Sequence, residues 1–435
     1  MQKLIIHKLG PIDDCEIVIS DMLVFTGEQA SGKSTIAKSI FFFKNLRNLM
    51  EEQAIRMQLY SDENKKLSLK NRWIKAIRLN FLQTFGSTWC MDENMALEYF
   101  YTDNICIKIS LVNDQTNPNY IWIELCEEIS QFLEELGELY AQKTIFFELS
   151  RRIELRERIN DFFQDGLEPV YIPAGRSMLT LLAGQLNYIY GVMDDIQKRE
   201  LDYCTQSYLE RIMQIKTFFS KDIESLIMQT KSLTDIKLDQ KLLNEAVKYL
   251  KSILQGEYQL VDGEERLNLS NRRYVKINFA SSGQQEAVWI LNVLFYYLIN
   301  SKKAYFIIEE PESHLFPNAQ KLMTEFISLA KASHNQVLVT THSPYVLGTL
   351  NNLLYAHETA GQIDKRKLNE IINERCWISP EGFQAFFVQD GVIANGMDDE
   401  IAQIRNEVID GASISINADF DKMVELRYQE DKKRK

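Results

Sequence analysis

Residues 27–34 read Gly-Glu-Gln-Ala-Ser-Gly-Lys-Ser, and they constrain the fold more than any other stretch of the chain. Met22-Leu23-Val24-Phe25-Thr26 comes just before, a continuous apolar run of the kind that forms a strand buried on both faces. Thr35 to Asn45 follows with helical character. Strand, glycine loop and helix in that order aim the loop's backbone N–H groups, and the positive end of the helix, at one point. That point binds phosphate. The two glycines let the backbone turn tightly enough to do so. Lys33 then places a charge between the β- and γ-phosphates of a nucleotide, and Ser34 offers a hydroxyl to Mg²⁺. On this spacing Gly27, Glu28, Gln29, Ala30, Ser31, Gly32, Lys33, Ser34 and Thr35 form the nucleotide-binding segment.

A P-loop of this kind needs an acidic strand end to hold the metal and position water. Ala304-Tyr305-Phe306-Ile307-Ile308-Glu309-Glu310 supplies one. Neighbours on a strand point to opposite faces, so two adjacent carboxylates take different tasks. Glu309 is assigned to the metal and Glu310 to the catalytic base. Ser281-Ser282-Gly283-Gln284-Gln285-Glu286 opens an apolar helix. It is either a second anion site or a plain N-cap, with Ser282 as the cap and Glu286 in the first turn. Val337-Leu338-Val339-Thr340-Thr341-His342 puts a histidine at the end of the next strand. Ligands of parallel sheets gather at the carboxyl ends of strands, so His342 can donate to the γ-phosphate.

The rest of the chain frames these segments. At 435 residues it has room for roughly two to four domains. Alternating strand and helix from Tyr274 onward predicts α/β architecture with a mainly parallel sheet. Residues 1–45 and 270–400 are read as the core, split in sequence. Residues 46–165 are read as an inserted helical and antiparallel-strand region, with a meander at Ala96–Tyr101, Cys106–Val112 and Tyr120–Leu125. Glu134, Glu135 and Glu138 lie on the polar face of its last helical stretch. Residues 166–269 supply a strand and a helical lid, and 401–435 a C-terminal helical tail. The stripe Leu209, Ile212, Ile215, Phe219, Ile223 and Leu226 reads as core rather than coiled coil. Asp419-Phe420-Asp421 reads as first-turn helix carboxylates, with a Toprim-like metal pair as the alternative.

Composition narrows the partners. Forty-nine basic against 61 acidic residues give a formal charge of −12, which argues against non-specific coating of nucleic acid. A local basic groove stays open, with Arg151-Arg152 and Arg272-Arg273 as candidates. Six cysteines form no CxxC pair, as suits a reducing cytosol. The longest near-apolar run, Trp289 to Ile299, is too short to span a bilayer. A cytoplasmic protein without a membrane partner is expected.

Together the four segments resemble the ATPase head of the ABC superfamily, most closely the branch with RecF, SMC and Rad50 heads and the OLD-type ATPases of anti-phage defence. GEQASGKST resembles Walker A. SSGQQE resembles the ABC signature through Ser282, Gly283 and Gln285. YFIIEEPESHLFP resembles Walker B with its D-loop, and VLVTTHSPYVL the switch-histidine segment. The EEPE and TTHSP strings set this chain apart from transporter subunits. It also departs from the pattern: Glu309 stands where most ABC proteins carry Asp, Gln284 replaces the second signature glycine, and Phe316 replaces a D-loop Asp. Gln53 and Gln83 are the candidates for a Q-loop glutamine. The resemblance implies an ABC-type P-loop fold, a mixed sheet with flanking helices and a mostly helical insertion. It implies ATP and Mg²⁺ as cofactors, ATP hydrolysis, and a homodimer that sandwiches ATP between Walker motifs of one subunit and the signature of the other. It further implies a separate effector such as a nuclease, or else direct action on DNA in repair or chromosome maintenance.

Overall fold

The computed structural model describes residues 1–59, 67–112, 119–140, 148–183, 202–233, 238–269, 273–398, 400–405 and 417–424. Arg272, the Asn113-Asp114 turn and most of the 401–435 tail lie outside them.

The chain opens with β1 (Lys3–Leu9), β2 (Ile12–Val18) and β3 (Met22–Gly27). Two long helices follow, α1 (Lys33–Leu59) and α2 (Leu69–Phe85). The meander is β4 (Ala96–Phe100), β5 (Cys106–Val112) and β6 (Tyr120–Leu125), in antiparallel register. Helices α3 (Glu127–Leu139) and α4 (Leu149–Phe163) lead to β7 (Glu168–Ile172) and α5 (Arg176–Ala183). Next come α6 (Tyr203–Lys216), α7 (Ile223–Leu233) and α8 (Gln240–Leu254). A small separate sheet is built from β8 (Glu257–Val261), β9 (Glu264–Asn268) and β10 (Tyr274–Lys276). The last part runs α9 (Ser282–Ile299), β11 (Ala304–Glu309), α10 (Pro317–Lys331), β12 (Gln336–Thr341), α11 (Pro344–Thr359) and α12 (Lys365–Ile371), then β13 (Phe383–Gln389) and β14 (Val392–Asn395).

One 11-stranded sheet has the order β6-β5-β4-β1-β2-β14-β13-β3-β12-β11-β7. Strands β13, β3, β12, β11 and β7 run parallel. β4 pairs antiparallel with β1, so the meander extends the same sheet as the P-loop strand.

Alternation along each strand divides the core in two. Met22 and Val24 face one side of β3, and Leu23 and Phe25 the other. Phe306 and Ile308 of β11 join the first cluster, Tyr305 and Ile307 the second. Helix α1 covers the second face with Ile36, Ile40, Phe43 and Leu46. Helices α6 to α11 cover the first, and Leu209, Ile212, Ile215, Phe219, Ile223 and Leu226 are all buried in it. Central strands with no exposed side reflect this two-sided cover. Glu134, Glu135 and Glu138 are exposed. Residues 417–424 are helical, with Asp419 and Asp421 exposed. The predicted strand Val275–Phe279 is shorter than expected. It ends at Lys276, and Ile277–Phe279 turn into a 3₁₀ segment that feeds α9.

Candidate active site

The loop after β3 is shaped by close neighbours. Gly27 has φ +145° and Gly32 φ +109°. A Cβ on Gly27 would strike the Val388 carbonyl of β13, and one on Gly32 would strike the Ile12 side chain. Both positions therefore need glycine for space as well as for backbone angle. Glu28, Gln29, Ala30 and Ser34 are exposed, while Ser31 and Thr35 are half-buried. Lys33 is buried and folds back over the loop. Its Nζ donates to Gly27 O at 3.0 Å, Glu28 O at 2.6 Å and Ser31 Oγ at 3.4 Å. Desolvation lowers its pKa, against the upward pull of Glu310, Glu312 and Glu309. One ammonium thus faces three carboxylates.

Those carboxylates stand at the end of β11. Glu309 is buried, and its Oε2 accepts from the Ala174 N–H at 3.2 Å. Its Oε1 has no hydrogen-bond partner. The Tyr171 hydroxyl lies near Glu309, and its pKa is pushed far up by burial and then by the Glu309 charge. Glu310 lies one residue past the end of β11, in the turn that follows. Its Oε1 meets His342 Nε2 at 3.2 Å, and its Oε2 accepts from Ser313 Oγ at 3.3 Å. Glu310 has φ +42°, a left-handed conformation that non-glycine residues rarely adopt.

Glu312, within the EEPE string, is a further residue of the site that no spacing rule singles out. It is buried, and its Oε1 accepts from Thr341 Oγ1 at 2.7 Å and from the His342 N–H at 2.8 Å. It therefore anchors the histidine strand end to the acidic turn. Burial raises its pKa. Its Oε2 is unpaired.

Lone pairs on buried carboxylates call for a donor or a cation. The unpaired Glu309 Oε1, with the exposed Ser34, fits Mg²⁺. Among the described residues no cluster of three or more His, Cys, Asp or Glu could cage a metal.

At the start of α9 the N-cap is Ser281, not Ser282. Ser281 and Gln284 form a reciprocal capping box, which leaves Ser282 exposed and uncommitted to the cap. Gly283 is buried, and a Cβ there would lie 2.6 Å from the His314 carbonyl. Gln285 turns inward instead. Its Nε2 donates to the carbonyls of Ile277 (3.0 Å), Ala280 (3.2 Å) and Asn278 (3.4 Å), which holds the approach to the helix. Gln53 lies in α1 and Gln83 in α2. The strand beside β11 is β7, and it delivers Ala174 to Glu309.

A glycine loop on a parallel strand, an acidic end on a nearby strand and a histidine on the strand between them suit a P-loop ATPase, an enzyme that binds and hydrolyses ATP. Residues 1–347 match the profile of the AAA ATPase domain, and the chain belongs to that family. Comparison with curated proteins finds no match. Similar solved structures include the SMC head domain from Thermotoga maritima, at 12% identity and TM-score 0.34, covering 90% of this chain and 96% of that one. An Smc head bound to the C-winged helix domain of ScpA is 11% identical with TM-score 0.41, covering 90% and 95%. An Smc head with an extended coiled coil, bound to the C-terminal domain of ScpA from Pyrococcus furiosus, is 12% identical with TM-score 0.40 and the same coverage. Among the described residues no helix is long and apolar enough to cross a membrane.

Proposed function

We propose that this ATPase works as a homodimer of the OLD-like branch and controls a separate effector, a nuclease, in anti-phage defence. Each ATP lies between the P-loop, Glu309, Glu310 and His342 of one subunit and Ser282–Gly283 of the other. The observation that carries the dimer is the exposed start of α9. Ser282 is free of the cap and open to solvent, and Phe279 and Phe316 beside it are 81% and 74% exposed. Two large apolar side chains next to an exposed helix N-terminus suit a surface that a second copy covers. A groove of about 430 Å³ adjoins the start of α9, lined by Gly283, Gln284, His314 and Phe316.

In this reading Lys33 binds the β- and γ-phosphates, and the backbone N–H groups of Gly27–Lys33 cradle them. Ser34 and Glu309 hold Mg²⁺, which when bound neutralises charge on the phosphate oxygens. Glu310 takes the proton of the attacking water as ATP becomes ADP and phosphate. His342 sits against Glu310 and donates to the γ-phosphate. Glu312 keeps the histidine in place.

The test is purification of the Glu310→Gln protein from its native cells with ATP and Mg²⁺ present. A nuclease in stoichiometric amount supports the effector reading. Nucleic acid without a protein partner overturns it in favour of a head that acts directly on DNA.

A further inference from the structure

Arg176 is completely buried although it opens a helix at the edge of the sheet. Its guanidinium reaches four backbone carbonyls. Nη1 donates to Pro173 O at 2.5 Å and to Glu309 O at 2.6 Å. Nη2 donates to Glu310 O at 2.8 Å, and Nε to Glu286 O at 3.2 Å. The charge is balanced by Glu286, whose Oε2 lies 3.3 Å from Nε. Glu286 also accepts the backbone N–H groups of Arg176 and Ser177, at 3.0 and 2.8 Å. Thr180 adds a bond to the Gln285 carbonyl at 3.0 Å. One cation therefore ties the carbonyls of Glu309 and Glu310 to the second turn of α9.

The arrangement is a poor way to gain stability. Apolar residues of similar volume often replace a buried ion pair without loss. A rigid fork of donors is, however, a good way to fix geometry. What it fixes is the backbone of Glu310 in its left-handed conformation. The Glu310 N–H donates to Thr340 O at 2.9 Å, and its carbonyl is held by Arg176. These two bonds decide where the Glu310 carboxylate points. At the other end, the Ser281–Gln284 capping box makes the start of α9 rigid, and Glu286 sits one turn beyond Ser282. A displacement of Ser282–Gly283 would reach Glu286, then Arg176, then the Glu310 backbone.

We propose that Arg176 and Glu286 are positioning residues that carry the setting of the α9 N-terminus to the carboxylate of Glu310, so that phosphate binding at α9 sets the rate of hydrolysis on the same subunit. This rests on the reading of Glu310 as base and of α9 as a phosphate site. Neither Arg176 nor Glu286 is asked to touch ATP.

The experiment uses the full chain and compares wild type, Arg176→Lys, the double variant Arg176→Met with Glu286→Leu, and Glu310→Gln. Steady-state kcat and KM, affinity for a fluorescent ATP analogue, melting temperature and dimer mass with ATP are read for each. The double variant leaves four carbonyls and two N–H groups unpaired, so it should melt lower, but the folded protein should keep its analogue affinity and ATP-dependent dimer. Its kcat should fall about tenfold, within the roughly 2- to 30-fold range of such couplings. Arg176→Lys keeps the charge but loses the fork, so it should also lose kcat at unchanged KM. If the double variant does not fold, Arg176→Lys carries the same comparison. Wild-type kcat in a folded double variant, with Glu310→Gln inactive, overturns the relay alone. Loss of analogue affinity and of the ATP-dependent dimer in step with kcat makes the pair merely structural. Normal turnover in Glu310→Gln removes the base reading instead.

Discussion

His342 Nε2 lies 3.2 Å from Glu310 Oε1, across the ends of two adjacent parallel strands. The two side chains are 34% and 36% exposed, so water can reach the carboxylate that would accept its proton. The contact depends on the turn after β11, where Glu310 takes a left-handed φ and Glu312 holds the histidine backbone.

Glu310→Gln should bind ATP normally and lose turnover. General-base catalysis contributes about 10²- to 10⁴-fold, so kcat should fall by at least about 10². Phosphate-release kinetics beside titration with an ATP analogue separates the two effects. Unchanged turnover would place the base elsewhere.

Lys33→Ala should lose nucleotide binding. A hydrogen bond to a charged group contributes about 1.5–3 kcal/mol, so affinity should drop roughly 10- to 150-fold or more. Isothermal titration with ATP and Mg²⁺ checks this. The variant should remain folded, because Lys33 bonds only to its own loop among the partners seen.

Ser282→Arg should bind ATP as a monomer. The added side chain projects from an exposed first-turn position, so the fold survives while the approach of a second copy is blocked. Light scattering with ATP reads the mass. A normal ATP-dependent dimer would mean that α9 does not face a partner's nucleotide.

Glu312 gives the fold a pH dependence of definite sign. Burial raises its pKa above the ordinary 4.5, so between those two values the folded chain holds a proton that the unfolded chain has released. Stability must therefore fall as pH rises through that window. Glu312→Gln keeps an oxygen for the Thr341 hydroxyl and the His342 N–H but does not titrate. Denaturant unfolding across pH should show this descent in wild type and a flatter profile in the variant.

Much of the site was legible because its information is local. Met22–Phe25 and Ala304–Ile308 are apolar without interruption, as suits a strand covered on both faces. Gly27, Gly32, Lys33 and Ser34 stand at fixed spacing because one loop must wrap one phosphate chain. His342 became visible through its place after the next strand. Other parts left no local trace. Ser281 and Ser282 are the same residue type, and only the bond between Ser281 and Gln284 shows which one caps α9. Gln285 looks like a ligand in its motif, yet its amide serves three carbonyls behind the helix.

The sequence by itself determined the strands, the phosphate loop and the acidic strand end, since apolar runs, glycines and spacing act over a few residues. Tertiary structure alone decided that Arg176 grips the carbonyls of Glu309 and Glu310, that Glu312 anchors His342, and that the meander extends the sheet beside β1. These contacts join segments far apart in the chain. Their energy comes from burial and paired hydrogen bonds that exist only once β7, β11, β12 and α9 have come together, and no short stretch of sequence encodes such a meeting.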